Sequence, residues 1–415
     1  MANNLLTISK ITNEALMVLE NELTFTSEVD RNYDDQFAVV GGKIGNTVNV
    51  RRPGRFIGVV GPQLQVEDFN ETSVPVTLST QFHVDTQFTT QDLALSLDMF
   101  SDRVLKPAVA AIANKIDRDG LSLAKNSTAN IVGTAGTPPT GLITYLTAGA
   151  YLDSEGAPRD GRRSCTVEPF TSATIVDSLK GLFVPQEAIG EQYRKGLMGR
   201  DSGGMNWKMD QNVVSHTFGS YSSAVLSCNV TTATGFLTSG WASNSNITIA
   251  ATSAASASLN QGDVITIAGV YAVNPQNRQT YGSNKLRNFV VNSAVTIASS
   301  GSATVNVSPA VITAGQFQNV SVTSTGSQSV TPFNNTGVVS PQNIIMHRNA
   351  FTLAVADLEL PDGVHFAGRA SDKEIGLSMR VVRQYTINND SIPTRLDVLY
   401  GWAPLYPELA CRVAA

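Results

Sequence analysis

One stretch of this chain, residues 229–340, holds four charged residues, Asp263, Arg278, Lys285 and Arg287, in 112 positions, against 59 in the other 303. Its short β-branched runs at Ile247–Ala250, Val264–Val273, Phe289–Ile297, Ala303–Val307 and Val320–Thr323 are divided by Gly, Asn and Ser. Such punctuation predicts the short strands of a small sandwich or barrel. The composition changes abruptly at both ends, which predicts a separate domain inserted into a body whose halves lie on either side. A length of 415 residues exceeds what one core usually serves, so several units are expected.

The flanking sequence is mixed. Ile11, Ala15, Leu16, Leu19 and Leu23 recur at helical spacing and predict a short amphipathic N-terminal helix. From Ser73 to Phe88 apolar and polar residues alternate, Val74, Val76, Leu78, Phe82, Val84 and Phe88 against Ser73, Thr77, Gln81, His83 and Asp85. A strand that long would extend roughly 50 Å at ~3.3 Å per residue, so part of it is expected to project. Thr47 to Val60, with the turn signal Arg52-Pro53-Gly54, is its expected partner, giving a long β-arm. Val104, Ala108, Ile112 and Ile116 mark a helix within Gln91–Ala124, with Pro107 kinking or starting it. A loop is expected at Thr134–Thr140 and a further helix at Phe170–Leu182. Near the C-terminus, Leu377 to Val381 and Leu396 to Trp402 alternate around Asn388-Asn389-Asp390 and predict an antiparallel pair.

Chemistry is hard to find in this sequence. A net charge of −5 lacks the basic surface that phosphate neutralisation needs. Cys165, Cys228 and Cys411 are too scattered for a disulfide framework and lack C-x-x-C spacing, which fits a reducing compartment. No export signal opens the chain and no run reaches the ~18 apolar residues of a membrane span, so neither export nor embedding is expected. His83, His216, His347 and His365 show no metal-ligand spacing, Gly41–Gly45 lacks the order of a phosphate loop, and no G-x-S-x-G elbow occurs. Asp30, Asp34 and Asp35 could hold a cation, but loop carboxylates are usually just solvated. No catalytic, cofactor or metal residue is therefore nominated. Arg51, Arg52 and Arg55 form the clearest basic cluster of the first half, at the turn end of the expected arm. Two readings stay open for them: a solvated loop tip, or contacts to acidic patches on neighbouring subunits, since guanidinium groups grip carboxylates through a fixed fork.

This order of elements resembles the major capsid (coat) proteins of tailed double-stranded DNA bacteriophages, in particular those of short-tailed phages with an inserted immunoglobulin-like domain. The residues that carry the likeness are Gly262–Val270 in the insertion, Asn343–Phe351 just after it, and Arg380–Tyr385 through Arg395–Gly401. The resemblance implies an α+β protein of the Hong Kong 97-type capsid fold with an all-β immunoglobulin-like insertion. By it, residues 1–38 are an N-terminal arm, 39–88 the extended β-arm and 89–160 a peripheral domain with a spine helix. Residues 161–228 and 341–400 are then the axial domain, 229–340 the insertion and 401–415 a return to the body. It further implies hexamers and pentamers of one chain, scaffolding and portal proteins as partners, and encapsidated double-stranded DNA held without specific binding, with no membrane and no cofactor. Assembly is expected in host cytoplasm, ahead of expansion as DNA enters. The alternative from another class is a β-rich surface or adhesion protein, suggested by the Ser/Thr/Asn-rich insertion and weakened by the missing export signal.

Overall fold

The computed structural model describes residues 23–30, 45–64, 66, 71–89, 106–178, 203–221, 224–230, 235–253, 255–282, 284–334, 337–372 and 377–415. The expected N-terminal helix, apart from Leu23, lies outside these residues, as do Asp34, Asp35, Gly41–Ile44 and the first part of the 91–124 helix. The chain divides into two compact units. The first comprises Met1–Val50, Ser73–Gly120 and Phe351–Ala403, the second Arg51–Thr72, Leu121–Ala350 and Pro404–Ala415. A few helices and many strands make the chain an α+β protein.

In the first unit the strand Ser391–Pro404 pairs antiparallel with Leu377–Arg383, as the turn residues predict, and that strand pairs in turn with Phe366–Asp372. Thr80–Thr89 lies along the other side of Ser391–Pro404, in register from Ser391 opposite Thr89 to Tyr400 opposite Thr80. The single strand expected from Ser73 to Phe88 is thus two. Thr72–Thr77 pairs with Thr47–Arg52 as a separate ribbon, and Thr80–Thr89 joins the sheet of Ser391–Pro404, whose fifth strand is Phe351–Ala356, instead of projecting. The break spans Leu78 and Ser79, where Leu78 donates its N–H to the Asn46 carbonyl at 2.7 Å. Two residues preserve a period of two, so the alternation runs on unchanged while the partner changes.

The helix Lys106–Ser127 carries Pro107 in the first turn of its described part, where a missing N–H breaks no bond. It buries Val109, Ile112, Ala113 and Ile116. Asp117 on this helix accepts the N–H groups of Thr24, at 2.8 Å, and Thr26, at 2.9 Å, and the Thr26 hydroxyl, so a buried carboxylate fastens the segment Leu23–Asp30. Tyr400 donates its hydroxyl to Asp119 at 2.6 Å. Gly120 faces the Trp402 ring so closely that a Cβ there would lie 2.6 Å from it. These contacts place Phe351–Ala403 with Ser73–Gly120, whereas the resemblance implies a grouping of 341–400 with 161–228. The alternating strands of the C-terminal region could not show which helix they pack on.

In the second unit a sheet runs in the order Ile131–Gly133, Ala410–Ala414, Val339–His347, Arg163–Val167 and Asn206–Met209, with Ser215–Thr217 on the end of Val339–His347. The helix Leu142–Ser154 and the helix Pro169–Ser178, expected at Phe170–Leu182, bury Tyr145, Leu152 and Ile175 with Cys165, Ile345 and Cys411. All three cysteines are free and buried. The 134–140 loop is present as a turn bridging Thr134 and Thr137.

The insertion begins earlier than composition suggests. Leu226–Asn229 pairs with Ser245–Ala251 and with Ser327–Pro332, so its first strand precedes residue 230. Ser245–Ala251 pairs with Ser302–Ser308, that strand with Leu286–Val291, and Ser327–Pro332 with Val264–Ala272. Val264–Ala272 and Leu286–Val291 then pair with each other, which closes the ring. The insertion is therefore a six-stranded antiparallel barrel, one of the two architectures its strand pattern predicts, where the resemblance implies an immunoglobulin-like domain. Short strands of even spacing suit either architecture, and only this last pairing decides between them. Ile247, Ile249, Ile265, Phe289, Val305 and Val330 fill its interior.

Candidate functional site

The strand Thr47–Arg52 turns Val48 and Val50 inward and Arg51 outward before Pro53 ends the ladder by removing an N–H donor. The three arginines that follow one another here have different surroundings. Arg51 faces solvent and reaches exposed Glu71 at 3.5 Å, a pairing of little energetic weight. Arg52 folds back over two rings of its own unit, 4.6 Å from the Tyr406 centroid and 5.6 Å from that of Trp241. Cation–π contacts of this kind contribute about 0.5–2 kcal/mol each. Among the described residues the buried Arg52 Nε has no hydrogen-bond partner.

Arg52 and Arg55 line a cavity of about 400 Å³ that also receives Trp241, Tyr406, Arg287, Glu155 and Glu408. Arg287 and Glu155 form a buried ion pair across it, Nη1 to Oε1 at 2.5 Å. Burial alone disfavours the Arg287 charge, but Glu155, Tyr281 and Glu408 outweigh it and raise the guanidinium pKa, so it stays protonated. Apolar wall is supplied by Ala310, Ile312 and Phe317.

Past Arg55 the arm runs without ladder hydrogen bonds and presents apolar side chains to solvent: Phe56 is 65% exposed, Leu64 89%, Val66 83%, and Val60 fully. The segment is held at its start, where Arg278 of the barrel donates Nη2–H to the Phe56 carbonyl at 3.0 Å. Burying four such side chains gains roughly 1.5–3 kcal/mol apiece. Sequence reasoning singled out the arginines and passed over this apolar run, although Phe56-Ile57-Gly58-Val59-Val60-Gly61 is legible as apolar residues without the alternation that would bury half of them. Trp241 and Tyr406, 165 positions apart, gave no signal at all.

No group of three His, Cys, Asp or Glu able to hold a metal occurs among the described residues, and no described helix is long and apolar enough to cross a membrane. A family model described as "P22 coat protein - gene protein 5" matches residues 1–412. The chain belongs to the P22 coat protein family. A P22-type coat protein is a structural component of the virion shell and not an enzyme, and it works as one of many subunits. The surface or adhesion alternative is thereby set aside. No curated sequence matches. Solved structures similar to this coat protein include one from Mycobacterium phage Che8, at 11% identity and TM-score 0.44, covering 94% of this chain and 90% of that one. Another is the mature capsid of bacteriophage PhiM1, at 10% identity and TM-score 0.43, covering 90% and 82%. A third is the virus-like particle from Pyrococcus furiosus, at 7% identity and TM-score 0.42, covering 98% of each chain.

Proposed function

We propose that the chain is the major capsid subunit that assembles, with scaffolding and portal proteins, into an icosahedral procapsid of hexamers and pentamers that expands as double-stranded DNA is packaged. The family match over residues 1–412 carries this reading. On it, the chain adopts the Hong Kong 97-type arrangement and is assembled in host cytoplasm. A shell built from one chain needs several non-identical contacts from one fold, and segments that reach beyond their own core supply them. The arm between Arg51 and Thr72 suits that task. Its exposed Phe56, Val60, Leu64 and Val66 are apolar anchors for a neighbouring copy, and Arg51, Arg52 and Arg55 are its charged flank.

The anchors are testable because they are exposed in the subunit. Val60→Asp with Leu64→Asp changes the stability of the isolated chain by no more than about 0.5 kcal/mol, as surface substitutions do. In cells that also make the neighbouring phage proteins, the double variant is expected to stay soluble and unassembled where the wild type sediments as shells. Shells formed by the variant at wild-type yield rule out the anchoring role.

A further inference from the structure

The cavity beside the arm is built unlike a gap left by packing. Two arginines, Arg52 and Arg55, line it from the arm and a third, Arg287, from the barrel. Among the described residues neither Arg52 nor Arg55 is paired with a carboxylate, and Arg287, 2% exposed, keeps its Nε without a partner although Glu155 takes its Nη1. Unmet donors on buried guanidinium groups are costly, and a bound acceptor removes that cost. The rings of Tyr406 and Trp241 hold Arg52 in place before anything binds, so little side-chain entropy remains to be lost.

We infer that this cavity is a binding site for the carboxylate side chains of an acidic peptide segment from another protein chain. Three features select that class. Guanidinium forks match carboxylates in two-point geometry. With three arginines against Glu155 and Glu408 the cavity carries only a small positive excess, enough for one or two carboxylates and too little for a nucleic-acid backbone, which the two glutamates would repel. The amides of Asn130, Asn292 and Asn319 are taken up by neighbouring groups of the chain, but Asn126 Oδ1, buried without a partner among the described residues, can accept a peptide N–H, and Ile312 and Phe317 offer apolar wall to its side chains. A volume of about 400 Å³ accommodates a few residues. This deepens the reading of the chain as a shell subunit by giving Arg52 and Arg55 a specific ligand chemistry, but binding is measured on the isolated chain and does not depend on assembly.

The test is titration of the full-length chain with tetraglutamate, tetraglutamine and inorganic phosphate, read by calorimetry and by the fluorescence of Trp241. Tetraglutamate is expected to bind and to weaken at least tenfold in Arg55→Gln, while Arg51→Gln, outside the cavity, binds as the wild type does. Trp207→Phe with Trp402→Phe isolates the Trp241 signal, and calorimetry on the otherwise unaltered chain guards against damage from those changes. Equal binding of tetraglutamine, tighter binding of phosphate, equal weakening by Arg51→Gln, or no binding at millimolar peptide would each overturn the assignment. Loss of shells with peptide binding intact would speak against the subunit reading and leave this site standing.

Discussion

His216 and Asp263 form a buried pair, Nε2 to Oδ1 at 2.8 Å, joining the short strand Ser215–Thr217 to the turn that opens the barrel strand Val264–Ala272. The same carboxylate accepts the N–H groups of Asn260, at 2.7 Å, and Gly219, at 3.1 Å. Next to it Arg412, fully buried in the last strand, donates Nη1–H to the Gly262 carbonyl at 2.9 Å. Burial pulls the Arg412 pKa down to about 10, so the group remains charged at neutral pH and Asp263 is its nearby counter-charge. One carboxylate therefore fixes where the barrel leaves the sheet of its own unit. Asp263→Asn keeps the shape but removes the charge that the buried donors face. A loss of about 3–5 kcal/mol, as for breaking one side of a buried charge pair, is expected in urea unfolding. A loss under about 1 kcal/mol would show that this cluster is not what holds the turn.

His216 gives that turn a pH dependence. Burial lowers its pKa, and Arg412 and Lys125 press the same way, more strongly than Asp263 raises it. The unfolded chain then binds the proton more readily than the folded one, so stability is complete above the ordinary histidine value and falls as pH drops below about 6.5 toward the lower folded value. One proton sets the slope at about 1.4 kcal/mol per pH unit within that window. His216→Gln should abolish that part of the slope, and identical pH profiles for the two proteins would refute the assignment.

Glu155 and Arg287 lead to a different outcome for single and double changes. Glu155→Gln or Arg287→Met alone strands a buried charge and should cost about 3–5 kcal/mol, whereas the two together should cost far less. Thermal unfolding of the four proteins closes the cycle, and additive losses would mean that the pair is not coupled.

The barrel should fold by itself only if its first strand is included. Residues 224–334 contain all six strands of the ring, whereas a fragment starting at residue 230 lacks Leu226–Asn229 and leaves the edges of Ser245–Ala251 and Ser327–Pro332 open. Cooperative unfolding and protected amides are expected for the longer fragment and their loss for the shorter. Equal protection in both would show that the ring is not needed.

How far the sequence leads depends on whether a feature is local. The charge-poor block, the hairpin at Asn388–Asp390 and the face of Ile112 and Ile116 all rest on neighbours within a few residues, and all are found in the structure. Pairings that join distant segments left no such trace. Nothing near Thr80–Thr89 announces Ser391–Pro404 as its partner, and closure of the barrel hangs on one contact between Val264–Ala272 and Leu286–Val291. The arginines were visible as a cluster, but the rings that immobilise Arg52 come from Trp241 and Tyr406, and Arg55 shares their cavity only through the fold.

The central claim is that this coat-family chain builds a shell. Negative-stain microscopy with sedimentation of the chain, expressed alone and with its neighbouring phage proteins, tests it most directly. Closed particles of uniform size, at least in the co-expressed sample, are the predicted result; a folded chain that stays monomeric in both samples would contradict it.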